Sequence, residues 1–227
     1  MTKRSVRSFV VRNGRTTPAQ NAAAKRLLPK YGIEYSDSHL DMSLEFGRQA
    51  SLWLEVGFGN GDTMLELASQ HPEINILGVE VHQAGVGHAL LEIERRNLHN
   101  VRVVRHDAME VMQFMLPPSC LQRLLLLFPD PWHKKRHHKR RIVQAEFVTA
   151  AARLLEPGGR LHCATDWPDY AEWILQHIDS DDRFANVAGV GNACPRPEWR
   201  PVTRFEQRGQ RLGHPIADLS FERLATG

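Results

Sequence analysis

The sequence predicts an α/β fold in which helices cover both faces of a mostly parallel sheet. From residue 52 to residue 178, short apolar runs alternate with stretches whose apolar residues recur at helical spacing. The apolar character of the run Leu121–Phe128 is typical of a parallel strand buried on both faces. The chain has 227 residues, which is enough for one domain with a sizeable core. These observations together predict one central sheet in one domain.

The individual elements follow from this alternation. Five strands are predicted, at Leu52–Val56, Ile74–Val81, Val101–Arg105, Leu121–Phe128 and Leu161–Ala164. Helices are predicted at Asp62–Ser69, Gln83–Asn97, Met109–Met115 and Tyr170–Ile178. A further amphipathic helix is predicted from Ile142 to Leu155, ended by Pro157-Gly158-Gly159. Past these elements the pattern weakens, and we expect two closing strands, paired antiparallel, at Phe184–Val190 and Leu219–Leu224.

The first 30 residues differ in composition from the rest of the chain. They contain eight Lys or Arg and no Asp or Glu, and helical periodicity is weak until about Asn21. We therefore predict a basic arm over residues 1–30, mobile at least to residue 15, and a single domain over residues 31–227. An arm that contacts nucleic acid is one interpretation, and a solvated tail or an organellar transit peptide are the alternatives.

Positive charge is concentrated in one stretch. The net charge is +3, but six Lys or Arg between residues 134 and 141 contribute +6, so the rest of the chain sums to −3. A local basic patch favours a nucleic-acid partner. The three cysteines lack the paired spacing of a disulfide framework or a zinc site, and no apolar run is long enough to cross a bilayer. We therefore expect a cytoplasmic protein with no membrane partner.

An acidic residue lies at or just beyond each of the first five predicted strands. These residues are Glu55, Glu80, Asp107, Asp130 and Asp166. The carboxyl ends of parallel strands meet at one edge of a sheet, where ligands of such folds bind. We therefore expect these five carboxylates to line one rim of a shared site, although any one of them alone could be a helix cap.

The glycine loop after the first strand distinguishes two classes of cofactor. Gly57, Gly59 and Gly61 are followed by Asp62 where a dinucleotide fingerprint has its third glycine. Negative charge from Asp62 and Glu55 would repel a pyrophosphate, but it suits the ammonium and sulfonium of S-adenosylmethionine. Glu80 is then placed to accept hydrogen bonds from the ribose hydroxyls, and Asp107, beside His106, from the adenine amine.

Six segments of the chain resemble one known family, the bacterial tRNA (guanine-N7-)-methyltransferases. The segments are LEVGFGNG, GVEVH, HDAMEV, FPDPWHKKRHHKRRIV, ATDWPDYAEWI and PVTRFEQRG, and the resemblance extends from about Arg7 to Arg223. The resemblance implies a Rossmann-like class I methyltransferase with a seven-stranded sheet and an antiparallel last strand. It also implies transfer of a methyl group from S-adenosylmethionine to N7 of guanine 46 in the variable loop of tRNA, giving 7-methylguanosine.

The resemblance implies roles for individual residues, with Asp130 as the catalytic residue. The implied cofactor contacts are Glu55, Gly57, Gly59, Glu80, Asp107 and Asp130. The implied substrate contacts are Lys134, Asp166, Thr203, Arg204, Phe205 and Glu206. The implied RNA-facing residues are Arg136, His137, His138, Lys139, Arg140 and Arg141. His133 stands where many members have proline, a difference that we expect to matter little.

The chemistry of guanine agrees with these roles. N7 carries a free lone pair, so attack on a sulfonium methyl needs no base, and the enzyme mostly positions the reactants. Methylation moves positive charge onto the purine, which a nearby carboxylate stabilises. Asp130, Asp166 and Glu206 are the candidates, and we expect Glu206 to accept from the N1 and N2 donors that distinguish guanine from adenine. Trp132 could stack on the displaced base, or it could simply pack at the strand end.

Two rival functions remain open on the sequence. An RNA-binding module on a decayed enzyme fold is disfavoured by the intact glycine loop and acids, and a nicotinamide-dependent oxidoreductase is disfavoured by Asp62. We expect no metal at the three histidines of the basic stretch, since the surrounding Lys and Arg repel a cation. The sequence leaves monomer and homodimer open.

Overall fold

The computed structural model describes Phe9 and residues 16–225, apart from the side chain of Phe205. In this part of the chain seven strands form one sheet with the order β3-β2-β1-β4-β5-β7-β6. The first five strands are parallel, and β7 runs antiparallel to both of its neighbours. The predicted fold class is confirmed. The strand order reverses between β1 and β4, which is where open α/β sheets bind ligands.

Strands β1 to β4 and β7 lie within two residues of their predicted bounds, whereas β5 begins six residues before the predicted Leu161. Their bounds are β1 Leu52–Val56, β2 Asn75–Val79, β3 Val101–Val104, β4 Leu121–Leu127, β5 Leu155–Thr165, β6 Phe184–Asn186 and β7 Ala217–Arg223. The prediction of a strand over Phe184–Val190 is wrong beyond Asn186, because the chain turns there through Gly189 and Gly191, both at positive φ. The sixth strand is consequently a short edge strand.

Eight α-helices lie among the described residues. Their bounds are α1 Pro18–Tyr31, α2 Met42–Phe46, α3 Asp62–Gln70, α4 Gln83–Arg95, α5 Ala108–Glu110, α6 Ala145–Leu154, α7 Pro168–Asp179 and α8 Arg204–Arg211. A π-helical turn, Val111–Met115, continues α5, and a 3-10 helix covers Lys135–Arg140. Pro157-Gly158-Gly159 does not end α6 as predicted. The helix stops at Leu154, and the three residues lie inside β5, opposite a register shift in β4.

Two apolar layers enclose the sheet. On one face, residues of α1, α3 and α4 pack on the strands, and Leu27, Leu65 and Val86 are buried in one apolar cluster with Trp53. On the other face, α6, α7 and the π-helical turn supply Phe147, Ile174 and Met112. Burial of apolar surface on both faces is what holds a parallel sheet together. The strand ends that carry the acids are left at the uncovered edge.

Helix α1 belongs to the folded body although it lies in the predicted basic arm. Thr17 and Gln20 form a capping box, in which each side chain accepts the other residue's backbone N–H, at 3.2 and 2.9 Å. Ala23, Ala24, Leu27 and Tyr31 are buried. The boundary at residue 30 therefore falls within a packed helix. Residues 1–8 and 10–15, which the sequence predicts to be mobile, lie outside the described residues.

No helix in the described part of the chain is long and apolar enough to cross a membrane.

Candidate active site

The glycine loop after β1 forms the floor of the site. Gly57, Gly59 and Gly61 all have positive φ, which an L side chain rarely adopts. A Cβ on Gly85 would lie 2.0 Å from the carbonyl oxygen of Gly59, so the first turn of α4 packs directly on the loop. The sequence predicts the loop correctly. The close approach of Gly85 depends on tertiary packing and could not be read from the loop itself.

Two adjacent cavities open along this loop. The first, of about 260 Å³, is bordered by Gly57, Gly59, Glu80, His106 and Asp130, among others. The second, of about 210 Å³, shares Gly57 and Gly59 and adds a different polar set: Glu55, Asn60, Asp62, Thr203 and Arg204. Phe9 is also on the wall of the first cavity. Three of the five predicted carboxylates therefore border these two cavities.

Glu80 is fixed by the backbone around it. Its Oε2 accepts the N–H of Gly59 at 2.9 Å, and its Oε1 accepts the N–H groups of Val81 and His82 at 2.7 and 2.9 Å. Two carboxylate oxygens have about four acceptor sites, so capacity remains for hydroxyl donors of a ligand. Glu80 is thus a rigid acceptor at the end of β2.

Glu55 is a buried acid beside the second cavity. It is 3% exposed, and its Oε2 has no hydrogen-bond partner among the described residues. Burial, together with the nearby Asp62 and Glu80 carboxylates, raises the pKa of Glu55 to about 8. A buried acid without a partner is unfavourable as an anion unless a cation approaches it. The second cavity therefore suits a positively charged group.

Asp130 lies in an irregular turn at the end of β4. Phe128 and Trp132, two residues to either side of it, have φ of 51° and 48°. Left-handed backbone at residues other than glycine costs on the order of 1–3 kcal/mol and is found more often at functional sites than elsewhere. The Asp130 side chain is exposed and borders the first cavity. It is placed to face a ligand there.

Asp107 and Asp166 follow their strands but are not on the walls of the two cavities. Asp107 caps α5, where Oδ1 accepts the N–H of Met109 at 2.9 Å, although its neighbours His106 and Ala108 border the first cavity. Asp166 lies 3.6 Å from His214 Nδ1 and remains 32% exposed. Of the five carboxylates expected to line one rim, three therefore border the cavities and two do not.

The basic stretch forms a 3-10 helix beside Asp130. Lys134, Lys135, Arg136 and Lys139 are exposed, and His137, His138 and Arg140 are partly exposed. Burial and the surrounding cations, Arg136 first among them, lower the pKa of His137. The guanidinium of Arg140 lies 5.1 Å from the Trp132 ring centre. In the described part of the chain no group of His, Cys, Asp and Glu side chains could hold a metal ion. The exposed cations form a surface suited to phosphates.

Arg141 does not belong to that surface. Its side chain is fully buried, donates from Nε to the carbonyl oxygen of Pro131 at 2.9 Å, and pairs with Asp169. It also lies over the rings of Tyr170 and Trp173. The prediction that Arg141 faces RNA is contradicted by this burial. Its physical role is to attach the basic stretch to the start of α7.

The segment from Thr203 to Glu206 starts α8, which the sequence interpretation missed. Thr203 is the N-cap and accepts the N–H of Glu206 at 3.0 Å. A threonine followed three residues later by glutamate is a helix-start signal that could have predicted this helix. Arg204 is exposed and pairs with Asp62 at 3.0 Å, across the second cavity. The side chain of Phe205 lies outside the described residues.

Glu206 is not available to read a guanine. Its carboxylate is buried, accepts from Arg200 Nη1 at 2.6 Å, and has Arg196 at 3.8 Å. Arg200 in turn holds Asp218 of β7 through two hydrogen bonds, at 2.7 and 2.9 Å. The expectation that Glu206 selects guanine is therefore wrong for this conformation. The acid ties α8 to the sheet instead.

Comparison with known proteins places this site in a family. A family described as "putative methyltransferase" matches residues 49–219. A tRNA (guanine-N(7)-)-methyltransferase from Nitrosospira multiformis is 50% identical over 97% of this chain and 95% of its own length. The tRNA (guanine-N(7)-)-methyltransferase from Alcanivorax borkumensis is 47% identical over 98% of this chain and 93% of its own length.

A solved structure shows the same fold at low identity. An rRNA methylase from Streptococcus thermophilus superposes with a TM-score of 0.53, at 15% identity, over 81% of this chain and 95% of its own. That likeness concerns the sheet and its helices alone. The two curated relatives share about half of their residues with this chain over nearly its full length, which is more specific evidence than a shared fold. This chain belongs to the tRNA (guanine-N(7)-)-methyltransferase family.

Proposed function

We propose that this protein transfers the methyl group of S-adenosylmethionine to N7 of a guanine in tRNA, and that the guanine is the one at position 46. The observation that carries the reaction is the 50% identity over 97% of the chain to a tRNA (guanine-N(7)-)-methyltransferase. The position within the tRNA comes from the resemblance of the six sequence segments to the family.

The two cavities fit the cofactor of this reaction. When bound, S-adenosylmethionine supplies a methyl group activated by its sulfonium. Glu55, with its unpartnered Oε2, and Asp62 supply negative charge for the cationic end. Glu80 offers its remaining acceptor capacity to the ribose hydroxyls. His106, the neighbour of the capped Asp107, borders the adenine end in this proposal, and Gly57 and Gly59 let the backbone approach closely.

Asp130 is the proposed catalytic residue. It is exposed, borders the first cavity and adjoins the basic surface, so a base delivered by that surface reaches it. No proton must leave N7 before methyl transfer, so Asp130 acts by holding the base in line and by stabilising the positive charge that develops on the purine. It does not need to act as a general base.

Guanine must be recognised by an acid that is not already paired within the protein. With Glu206 paired to Arg200, Asp166 is the partly exposed acid beside the site that could accept from N1 and N2. Thr203, Arg204 and Lys134 complete the proposed substrate contacts. A carboxylate accepts from two guanine donors, whereas adenine presents an acceptor at N1 and leaves the acid unpaired. This difference would select guanine.

The exposed cations of the basic stretch hold the tRNA. In folded tRNA the target base makes tertiary contacts, and its displacement costs a few kcal/mol that backbone contacts must offset. Lys134, Lys135, Arg136, Lys139 and Arg140 supply such contacts without reading sequence. The binding energy of the phosphates thereby supports displacement of the base beside Asp130.

The test is methylation of unmodified tRNA with methyl-labelled S-adenosylmethionine, followed by nucleoside mapping. We expect label in 7-methylguanosine at position 46 and none in a tRNA whose guanine 46 is replaced by adenine. Label at another guanine would refute the position alone. No label in wild-type tRNA would refute the reaction.

A further inference from the structure

Arg123 of β4 lies against two tryptophan rings that meet edge to face, with their centres 5.8 Å apart. Its guanidinium carbon is 4.3 Å from the ring centre of Trp53 and 4.0 Å from that of Trp199. Trp53 is itself held by a hydrogen bond from Nε1 to Gln122 at 2.8 Å. Aromatic faces attract cations. The two rings therefore fix this guanidinium in one place without neutralising its charge.

Arg123 differs from the two fully buried arginines in its pairing. Arg141 pairs with Asp169, and Arg200 pairs with Asp218 and Glu206. The Nε and Nη1 atoms of Arg123 are buried and have no hydrogen-bond partner in the described part of the chain. Burial, and then the charge of Arg160, lower the pKa of Arg123 to about 10. A cation in such surroundings favours a bound anion.

A cavity of about 340 Å³ adjoins Arg123 on this face of the sheet. Its walls include Arg160, His162, Trp199 and the hydroxyl-bearing Ser220, and no Asp or Glu of the described residues is among them. Arg160 pairs with Glu222 at 2.7 Å and remains 35% exposed, and Asp218 holds the ring of His162 at 2.9 Å. The cavity therefore presents more positive than negative charge, with one opposing carboxylate near Arg160.

We propose that this cavity binds a phosphate-type oxyanion between Arg123 and Arg160. Arginine N–H groups match the oxygens of phosphate in geometry and charge. The Ser220 hydroxyl adds a neutral donor, and the Trp199 ring covers the site. The cavity is far larger than the roughly 30 Å³ that one water occupies, so a tetrahedral anion fits.

The oxyanion site is separate from the catalytic cavities. Arg123 and Leu127 are four residues apart on β4, which corresponds to about 13 Å along a strand. Leu127 borders both cofactor cavities, whereas Arg123 borders neither. One chain segment connects the oxyanion site to the second cavity. It contributes Trp199 to the oxyanion site and Thr203 and Arg204 to the second cavity. An anion under Trp199 stabilises the segment that leads into α8.

The first experiment titrates the full-length protein with inorganic phosphate at constant ionic strength, with chloride as the balancing ion. Tryptophan fluorescence and the thermal unfolding midpoint are recorded. We expect a saturable change in both, because Trp53 and Trp199 contact Arg123 and because a ligand of the native state raises its stability. Arg160→Gln removes a charged hydrogen-bond donor, and we expect it to weaken phosphate binding by about tenfold or more.

Matched variants separate the site from general charge effects. Arg123→Met keeps most of the packing against the tryptophans, and we expect it to abolish the saturable change. Arg95→Gln removes an exposed arginine elsewhere, and we expect the wild-type response. The proposal is refuted if wild type shows no saturable response, or if Arg160→Gln responds as wild type does. The Arg160 variant decides the matter even if Arg123→Met fails to fold.

A second arm identifies the source of the phosphate. If RNA backbone occupies the site, inorganic phosphate competes with tRNA and Arg160→Gln lowers tRNA affinity. If a free phosphate compound occupies it, Arg160→Gln leaves tRNA affinity unchanged while phosphate binding is lost. Only this arm depends on the proposed tRNA function, since the phosphate titration requires no RNA.

Discussion

The two sides of the carboxyl edge of the sheet differ in how their charged groups are held. On the side proposed to bind the cofactor, Glu80 accepts three backbone N–H groups and Glu55 is buried. On the side proposed to bind the substrate, Asp130 is exposed and the Lys and Arg side chains beside it are largely exposed. A small ligand that must be gripped in one geometry is met by fixed acids. A polyanion is met by cations that can adjust to it, because phosphate contacts need charge more than exact position.

The same contrast recurs within the basic stretch. Lys139 is exposed, whereas Arg141, two residues later, is buried and paired with Asp169. Neighbouring cations of similar type thus have different physical roles. The predictions below test these contrasts, from the largest expected effect to the smallest.

Asp130→Asn tests whether the substrate side contains the catalytic acid. The change keeps the shape of the side chain and removes the charge that stabilises the developing positive purine. We expect turnover to fall on the order of 10²–10³-fold while tRNA affinity is unchanged. Single-turnover methylation and a filter-binding assay measure the two quantities. Asp37→Asn, at an exposed loop position, is the control. Wild-type turnover of Asp130→Asn would remove Asp130 from the mechanism.

Arg141→Met tests whether this residue is structural. It removes the pair with Asp169 and leaves the carbonyl oxygen of Pro131 without its Arg141 donor. Asp169 is largely exposed, so we expect a loss of about 1–3 kcal/mol in the free energy of unfolding. Urea denaturation measures it. Arg136→Met, at an exposed position, should have little effect on stability, and equal stabilities for the two variants would contradict the assignment.

Lys139→Ala combined with Arg140→Ala tests whether the exposed cations bind phosphates. Each lost phosphate contact should reduce the slope of log affinity against log salt by about 0.7–0.9. We therefore expect weaker tRNA binding with a flatter salt dependence and an unchanged unfolding midpoint. The control combines Lys25→Ala with Arg95→Ala, on α1 and α4. An unchanged slope in the test variant would mean that the basic stretch is only a solvated surface.

The pH dependence of S-adenosylmethionine binding tests the role of Glu55, the buried acid beside the second cavity. The pKa of Glu55 is raised to about 8, so at pH 7 the free protein holds this group mostly protonated. A cationic ligand needs the anion, so we expect affinity to rise with pH up to about 8, by at most about tenfold per pH unit. Calorimetric titration with S-adenosylmethionine measures this rise.

Glu55→Gln is the matched variant for that titration. It should bind the cofactor weakly and without this pH dependence. The sign for stability follows from the same shift. Because the folded-state pKa lies above the usual 4.5, the protonated acid favours the native state, and this contribution is lost as pH rises from about 4.5 through about 8. Wild type should therefore lose stability relative to Glu55→Gln over that window. A parallel pH profile for both proteins would contradict the raised pKa.

Much of the fold could be predicted because its signals are local. The alternation of β1 to β5 with helices can be recognised within short windows of sequence, and so can the glycine loop. The structure confirms both. The capping box at Thr17 and the N-cap at Thr203 are equally local signals, and reading them would have predicted the starts of α1 and α8. The starts of these two helices were missed because their capping residues were not considered. Predicting them did not require tertiary information.

The site was predictable in its location and less so in its members. Parallel strands bring their carboxyl ends to one edge whatever the side chains are, so Glu55, Glu80 and Asp130 were correctly expected to lie near one another. The roles of Arg141 and Glu206 depended on partners 28 and 6 residues away along the chain. Sequence spacing does not reveal that a charged group has found a buried partner.

The sequence alone determined the sheet, the acidic cavity edge and the presence of a basic surface, because periodicity, glycine placement and charge are properties of short segments. Tertiary structure alone decided which charged side chains are paired inside the protein. Arg141 and Arg200 are neutralised by carboxylates, whereas Arg123 lies against two tryptophan rings and has buried donors with no partner in the described part of the chain. Desolvation and pairing are settled only when distant segments meet, and those two quantities determine whether a charged residue stabilises the fold or is left to bind a ligand.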